Sequence, residues 1–497
     1  MISSAVEVSP LQLNSGEKFE PTHVVGGVLH TRWVMVLAVV LSCAALLDAS
    51  AADDKPARKR GSRQPVQNSP CNDVPAHPFD LILARPTANA VTVSVLCYQE
   101  AAGGIAYGKQ AGQLTSTTPR RQFKKGEPAE IVLSGLDADA QYFYQLRLGR
   151  TNSAVFSFHT ARAAGRTFTF TVTADSHLDE HTDPVVYQRT LANALADRPD
   201  FHIELGDTFM TEKHPNRDTA FKQYLAQRYY FGQLCTTAPF LFVIGNHDGE
   251  SPRGRGSDAD GQAVWSNLTR KRYFPNPVPD SFYTGDATKH PEAGLLEDYY
   301  AWTWGDALLV VLDPFWFTQK QRNGENNWKR TLGDAQYQWL QRTLETSRAK
   351  FKFIFIHHLV GGGDAQNRGG SEAAPFYEWG GKNADGSAGF KANRSGWPAS
   401  IHQLLVQNKV SAVFHGHDHF YAKQDLDGIV YQLVPQPGYP GNGRAPRSAA
   451  EYGYVNGTIL GSSGHLRVSV SAQRAKVDYV RTQRQEGVAD SYLINPR

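Results

Sequence analysis

The chain has 497 residues, of which 41% are hydrophobic and 20% are charged, a composition typical of a soluble globular protein. Its length exceeds what one hydrophobic core usually serves, so we expect two domains. The 51 Lys and Arg residues nearly balance the 48 Asp and Glu residues, which gives a net charge of +3. This balance argues against a nucleic-acid-binding protein, which needs clustered basic residues.

Residues 1–51 have the layout of an export signal. Arg32 precedes an apolar run over residues 33–47, and Ala49-Ser50-Ala51 follows as a small-residue cleavage site. A helix that crosses a bilayer usually needs about 20 apolar residues, and this run is shorter. We therefore predict a cleaved signal peptide and a secreted or periplasmic protein. The alternative is a retained N-terminal membrane anchor through residues 33–47.

The next segment, residues 52–72, is almost devoid of apolar side chains and is predicted to be a flexible linker. Cys71 at its end and Cys97 lie close in the sequence and could pair in an exported protein. Cys235 would then be a buried free thiol, the common fate of a lone cysteine.

Residues 73–163 predict a small β-sandwich that resembles immunoglobulin and fibronectin III domains. Its strand-like segments alternate apolar and polar residues, are rich in β-branched and aromatic types, and are separated by turn residues. These segments are residues 80–85, 90–97, 129–133, 141–147 and 154–158. No catalytic cluster lies here, so a packing or presentation role is favoured over carbohydrate binding.

Residues 164–497 alternate strands and helices, which predicts an α/β domain. The predicted strands are residues 167–174, 201–205, 240–244, 307–312, 351–356, 410–414 and 429–434. Asp183 and Pro184 predict the start of one helix, and Asp334 can cap another. Residues 250–300 and 361–398 show no periodicity and are predicted to be loops that set substrate specificity.

Five of the predicted strands end in side chains that can bind a metal. The five segments read Asp175-Ser176-His177, Gly206-Asp207, Gly245-Asn246-His247-Asp248, His357-His358 and Gly416-His417-Asp418-His419. Each alone is a weak indication, but ligands of α/β folds gather at the carboxyl ends of strands. Asp, Asn and His side chains in this order therefore predict a centre for two metal ions, for which Mn, Fe and Zn are all suitable.

The spacing within the segments supports shared sites. Asp175 and His177 are two residues apart, which points both side chains the same way on an extended segment. Asp207 is the candidate bridge between two ions, because a carboxylate can serve two cations. His415, just before the last segment, is predicted to be a core histidine with its polar atoms satisfied.

These motifs resemble those of the calcineurin-like metallophosphoesterases, whose pattern is D-x-H, G-D, G-N-H-[DE], H and G-H-x-H. The resemblance covers about residues 165–435 and implies an αββα phosphoesterase domain after the sandwich. It also implies that one metal binds Asp175, His177, Asp207 and His419, while the other binds Asp207, Asn246, His357 and His417. His358 is expected to contact substrate or to support the ligands.

The order of sandwich and catalytic domain also resembles the purple acid phosphatases. The sequence departs from that subgroup in its first motif, which is Asp-x-His instead of Asp-x-Gly. Met210 stands where the iron-bound tyrosine would be. A tyrosinate–iron colour is therefore not expected.

The resemblance implies in-line attack on phosphorus by a hydroxide held between the metals. We expect His247 to act as general acid or as a hydrogen-bond donor to the transition state, and Asp248 to orient its imidazole and keep it protonated. A phosphomonoesterase is favoured, with a phosphoester as substrate and no nucleic acid as partner. The alternatives are a phosphodiesterase acting on cyclic nucleotides or phospholipid-type diesters, a nuclease, and a non-catalytic surface protein with a structural metal site.

Overall fold

The computed structural model describes residues 72–149, 151–179, 181–252, 261–318, 327–362, 368–441, 443–483 and 487–497. The predicted signal peptide or anchor, the predicted linker up to residue 71 and Cys71 lie outside these residues. Within them, no helix combines the length and apolar character needed to cross a membrane. Cys97 and Cys235 are buried and form no disulfide within the described ranges, as predicted for Cys235. The pairing of Cys97 with Cys71 stays a prediction.

The N-terminal part is a β-sandwich, as predicted. Its described strands are β1 (Phe79–Ala84), β2 (Ala90–Cys97), β3 (Ala101–Gly108), β4 (Ser116–Thr117), β5 (Arg121–Phe123), β6 (Ala129–Ser134), β7 (Gln141–Leu148), β8 (Thr151–Asn152) and β9 (Phe156–His159). One face is β1, β2 and β6, and the other is built on β3, β7 and β9. Alternate apolar residues of both faces, such as Val93 and Tyr144, form the core between them.

The second part of the chain alternates strands and helices. Its described strands are β10 (Phe168–Thr173), β11 (Phe201–Glu204), β12 (Phe240–Phe242), β13 (Thr284–Gly285), β14 (Lys289–His290), β15 (Gly294–Leu295), β16 (Tyr300–Trp304), β17 (Ala307–Val311), β18 (Phe351–Phe355), β19 (Ala412–His415), β20 (Tyr421–Leu426), β21 (Ile429–Leu433), β22 (Thr458–Leu460), β23 (Gly464–Val470), β24 (Ala475–Arg481) and β25 (Val488–Ile494). Its described helices are α1 (Pro184–Ala196), α2 (Arg217–Cys235), α3 (Gln262–Tyr273), α4 (Asp334–Thr346), α5 (Gly370–Ala373), α6 (Tyr377–Gly380), α7 (Phe390–Asn393), α8 (Ile401–Gln407) and α9 (Ala445–Tyr452).

Two sheets pack face to face and helices cover their outer faces, so the predicted αββα architecture is confirmed. One sheet has the order β25-β24-β23-β10-β11-β12-β1-β2-β6, and the other β13-β16-β17-β18-β19-β21-β20-β22. Aromatic residues fill the space between the sheets, among them Phe170, Phe355 and Phe414. Helices α1 and α2 cover the first sheet, and α4 and α8 cover the second.

The first sheet runs without interruption from the α/β part of the chain into the sandwich. Strand β1 of the sandwich pairs in parallel with β12 at Ala84 and Phe240. Strands β10, β11 and β12 are parallel to one another, as are β17, β18 and β19 of the second sheet. The carboxyl ends of these strands therefore meet along one edge of each sheet, and all five predicted ligand segments follow them.

Three predictions about local structure were wrong. Residues 361–398 were predicted to be a loop, but they contain the short helices α5, α6 and α7. Residues 250–300 contain helix α3 and several strands, although they were predicted to be a loop. Part of the buried face of α3 is polar, because Arg270 pairs with the carboxylate of Glu250 and Asn267 donates to it. This face therefore shows no apolar periodicity. Asp334 begins helix α4, but the capping position is Gly333, at φ +79°.

Candidate metal centre

The first group of predicted ligands consists of Asp175, His177 and His419. Nε2 of His419 lies 3.3 Å from Oδ1 of Asp175, and Nε2 of His177 lies 3.8 Å from the same oxygen. The potential ligand atoms of the three residues all lie within 4.8 Å of one another. Asp175 and His177 are buried, while the side chain of His419 is 42% exposed. This group, called the open half below, faces solvent through His419.

The second group consists of Asp207, His357 and His417, with Asn246 beside them. Nε2 of His357 lies 3.3 Å from Oδ2 of Asp207 and 3.1 Å from Oδ1 of Asn246. The potential ligand atoms of Asp207, His357 and His417 again lie within 4.8 Å of one another. Asp207 and His357 are buried and His417 is half-buried, so we call this group, with Asn246, the closed half.

Hydrogen bonds fix which nitrogen of two histidines can bind a metal. Nδ1 of His357 lies 2.7 Å from the carbonyl oxygen of Leu205, which can only accept, so this nitrogen carries the proton. Nδ1 of His177 lies 3.1 Å from the carboxylate of Asp179 and is held in the same way. When the second ring nitrogen loses its proton, Nε2 presents a lone pair toward acidic or amide oxygens, an arrangement that a cation stabilises.

Buried atoms without partners lie at the same place. Oδ1 of Asp175, Nε2 of His177 and Nδ1 of His417 are buried, and none has a hydrogen-bond partner within the part of the chain that the structure describes. Buried polar atoms are rarely left unpaired in folded proteins. These residues therefore fit a pair of cations with nitrogen and oxygen ligands.

Electrostatics couple the acidic and basic members of the closed half. Burial alone would raise the pKa of Asp207, but the charges of His357 and His247 outweigh it and hold that pKa well below its usual range. Burial opposes charge on His357 as well, yet Asp207 raises its pKa to about 10. Burial and neighbouring positive groups lower the pKa of His417, which keeps its ring neutral and able to bind metal.

Glycines in the motifs allow the strand ends to approach one another. A Cβ on Gly245 would lie 2.0 Å from the backbone nitrogen of Asp207, and one on Gly416 would lie 2.8 Å from Oδ2 of Asp175. A side chain on Gly245 would displace Asp207, and one on Gly416 would push the two halves apart. Gly206 has φ +89°, and Asp207 follows it at φ +54°, so the turn after β11 uses left-handed backbone twice.

Comparison with known proteins identifies the fold and the family. A family model described as calcineurin-like phosphoesterase matches residues 168–421, just over half of the chain. The chain belongs to the calcineurin-like phosphoesterase family. It is a metal-dependent phosphoester hydrolase, as the motifs predicted.

Solved structures similar to this phosphoesterase support the fold. The structure of PhoD has a TM-score of 0.58 at 15% identity, over 85% of this chain and 90% of that one. A purple acid phosphatase from yellow lupin (Lupinus luteus) seeds has a TM-score of 0.55 at 16% identity, over 84% of this chain and 74% of that one. No curated protein matches the sequence.

The phosphoesterase positions His247 with a residue that the sequence analysis missed. Nδ1 of His247 lies 2.6 Å from Oε1 of Glu212. Glu212 belongs to a short 3₁₀ helix, Thr211–Lys213, in the loop after Asp207. The sequence did offer one indication of this contact, an acidic residue shortly after the Gly-Asp motif. The loop that carries it must face the Gly-Asn-His segment if Asp207 is to reach its partners.

The predicted role of Asp248 was wrong. Its carboxylate accepts hydrogen bonds from four backbone N–H groups, at 2.7–3.0 Å, and all four belong to the Gly-Asp loop or its own turn. The donors are Asp207, Thr208, Phe209 and Gly245. Asp248 therefore fixes the loop that presents Asp207, and it does not orient the imidazole of His247.

The last motif is anchored from outside the metal centre. Asp418 accepts from Nε of Arg368 at 2.5 Å and from the hydroxyl of Tyr454 at 2.6 Å. Nε2 of His358 lies 2.6 Å from the carbonyl oxygen of Arg368, and the ring of His358 lies 4.3 Å from that of His417. His358 thus supports the ligand loop from behind.

Two further buried groups lie near the ligands. His415 is buried as predicted, but its Nε2 has no hydrogen-bond partner among the described residues, so it is not the satisfied core histidine that we expected. Beneath Asp175, the carboxylate of Glu204 accepts hydrogen bonds from the hydroxyls of Thr173, Ser176 and Thr208. Burial raises the pKa of Glu204 to about 7 despite these donors.

Proposed function

We propose that this phosphoesterase is an exported phosphomonoesterase that uses two metal ions. The observation that carries the proposal is the pair of adjacent ligand groups, open and closed, with His247 beside them. His417 donates its backbone N–H to Oδ2 of Asp175 at 2.9 Å, and His247 donates its backbone N–H to Oδ1 of Asp207 at 2.7 Å. The first contact joins the closed half to the open half, and the second fixes the segment of His247 against the closed half.

The cations, when bound, would lower the pKa of a water molecule, orient the phosphate and neutralise its charge. Asp175, His177 and His419 would hold one ion, and Asn246, His357 and His417 the other. Asp207 is proposed to contact both. Mn, Fe and Zn all suit this set of side chains.

The chain's own contribution to bond cleavage is assigned to His247. Glu212 accepts a hydrogen bond from Nδ1–H of His247, so Nε2 is the ring atom that can transfer a proton to the departing alcohol oxygen. General acid catalysis of this kind contributes roughly 10²–10⁴-fold. A monoester needs this help because its leaving alkoxide must be protonated while the phosphate remains a dianion.

Paired chromogenic substrates test the monoesterase proposal. The purified protein, loaded with one metal at a time, is assayed with p-nitrophenyl phosphate and with bis-p-nitrophenyl phosphate. We expect a higher kcat/KM for the monoester with every metal that supports turnover. A preference for the diester would replace the proposal by a phosphodiesterase, and elemental analysis of protein purified without added metal would report which ions are bound.

Export is a separate part of the proposal and is supported by the sequence alone. Arg32, the apolar run of residues 33–47 and the small residues 49–51 make up the three parts of a signal peptide. Expression of the full chain followed by fractionation and N-terminal sequencing tests it. A mature N-terminus near residue 52 outside the cytoplasm is expected, whereas an intact chain in the membrane fraction would show a retained anchor.

A further inference from the structure

A cavity of about 400 Å³ opens directly beside the open half of the metal centre. His177 and His419 contribute to one wall. The other wall comes from the chain between β21 and β22, where Tyr439, Arg444 and Tyr452 line the space. A phosphoryl group bound at the metals would therefore have this cavity next to it, and the volume suits a small organic group.

Two cationic side chains, Lys213 and Arg444, line the cavity, and Arg444 is the more exposed of the two. Asp418 is already paired with Arg368 and Tyr454, and Asp179 is hydrogen-bonded to His177 and lies near Lys213. The side chain of Arg444 is exposed and forms no ion pair with any residue that the structure describes. Its guanidinium is thus available to a ligand in the cavity.

Polar and aromatic groups complete the lining. Ser448 lies on α9, about one turn after Arg444, and offers a hydroxyl. Gln436 offers an amide. The rings of Tyr439 and Tyr452 supply flat apolar surface beside these polar groups. Guanidinium groups bind carboxylates and phosphates through charge-assisted, often paired hydrogen bonds, which are the stronger kind.

We propose that this cavity is a subsite for the leaving group of the substrate, and that Arg444 selects alcohols bearing a second anion. The substrate class is then a phosphomonoester whose alcohol carries a carboxylate or another phosphate. This inference rests on the monoesterase function proposed above and adds to it the chemistry of the leaving group.

A matched pair of substrates tests the subsite. Glycerol 2-phosphate and 2-phosphoglycerate share one carbon skeleton. They differ at one position, where the first carries a hydroxymethyl group and the second a carboxylate. We expect the wild type to favour 2-phosphoglycerate by at least about tenfold in kcat/KM, as one charge-assisted hydrogen bond would give. Arg444→Gln should remove most of that preference, chiefly by raising KM for 2-phosphoglycerate. Glycerol 2,3-bisphosphate, compared in the same way, reports whether phosphate serves as well as carboxylate.

The neighbouring Arg447 provides the control. It lies on α9, which begins directly after Arg444; its side chain is 83% exposed, pairs with Glu451 and does not line the cavity. Arg447→Gln removes the same charge from the chain, so its substrate preference should equal that of the wild type. Equal loss of preference in both variants would show a general charge effect and overturn the assignment of Arg444.

The remaining outcomes separate this inference from the function on which it rests. A wild type that hydrolyses p-nitrophenyl phosphate but shows no preference for the anionic alcohol overturns the subsite and leaves the monoesterase standing. A wild type that hydrolyses no monoester with any metal overturns both.

Discussion

The two halves of the metal centre contain similar side chains but differ in their surroundings. The closed half is held by backbone: Leu205 accepts from His357, and neither Asp207 nor His357 reaches solvent appreciably. The open half ends in His419, which is 42% exposed and borders a cavity. The comparison indicates that one half is built to retain its ion and the other to admit the substrate.

Asp207 gives the largest expected effect, because it belongs to the closed half and is proposed to contact both ions. Asp207→Asn removes the charge that binds the cations but keeps nearly the same shape. We expect kcat to fall at least about 10³-fold, since loss of several kcal/mol of metal-assisted stabilisation corresponds to that factor.

Metal content and folding are measured on the same variant. Elemental analysis should show less than two ions per chain, while circular dichroism should match the wild type. Asp425→Asn, at an exposed carboxylate on β20, serves as the control and should change nothing. Full activity in Asp207→Asn would remove the basis for a shared aspartate.

The hydrogen-bonded side chains of His247 and Glu212 test proton transfer, because neither is a predicted metal ligand. His247→Ala is expected to lower kcat roughly 10²–10⁴-fold for a substrate with a basic alkoxide leaving group. The loss should shrink for p-nitrophenyl phosphate, whose phenolate leaves without protonation. Glu212→Gln should follow the same pattern with a smaller loss, because the amide still holds the ring through its oxygen.

Both variants should bind as much metal as the wild type. If the loss in His247→Ala were equal for good and poor leaving groups, His247 would not be the general acid. If Glu212→Gln changed metal content instead of the leaving-group dependence, Glu212 would be part of the ligand framework.

Metal removal tests the difference between the halves directly. During timed dialysis against a chelator, we expect a fast loss of one ion and a slow loss of the second, because the exposed His419 gives the chelator access to the open half. His419→Ala should speed only the first loss, and His357→Ala should speed the second. Elemental analysis of samples taken during the dialysis follows both ions. Simultaneous loss of the two ions would contradict the division into halves.

The parts of the structure that the sequence predicted depend on local patterns. Asp183 caps α1 with its carboxylate at the N–H groups of Val185 and Val186, as the Asp-Pro pair indicated. The five ligand segments were found because each follows an apolar run that forms a strand. Strand β3 was missed, since Gly103 and Gly104 weaken any strand pattern. Gly103 is required there because a Cβ would lie 1.9 Å from the carbonyl oxygen of Arg147.

The parts that could not be predicted depend on contacts between distant segments. Helix α2 buries Arg228, which donates to Ser94 of the sandwich and to the carbonyl oxygen of Tyr273. A buried arginine hides the apolar periodicity of its helix, and its acceptors are more than 40 residues away. The partner of His247 was misassigned to Asp248 for the same reason: adjacency in sequence suggested a contact that the turn geometry directs elsewhere.

Glu204 sits beneath the open half and gives the smallest expected effect. Its pKa in the folded chain, about 7, is above the ordinary value of 4.5, so the folded state holds this proton to higher pH than the unfolded state does. The free energy of unfolding should therefore decline between about pH 4.5 and pH 7, by up to about 3 kcal/mol for this group. Glu204→Gln should lack this decline and gain stability over the wild type as pH rises.

Denaturant unfolding of the two proteins at several pH values, with chelator present, gives the difference directly. Glu451→Gln, at an exposed surface pair, should run parallel to the wild type at every pH. Parallel curves for Glu204→Gln as well would mean that the hydroxyls of Thr173, Ser176 and Thr208 keep Glu204 ionised in the fold. In that case a buried negative charge would lie near Asp175 and would strengthen the attraction of the open half for its cation, which would slow the first metal loss expected above.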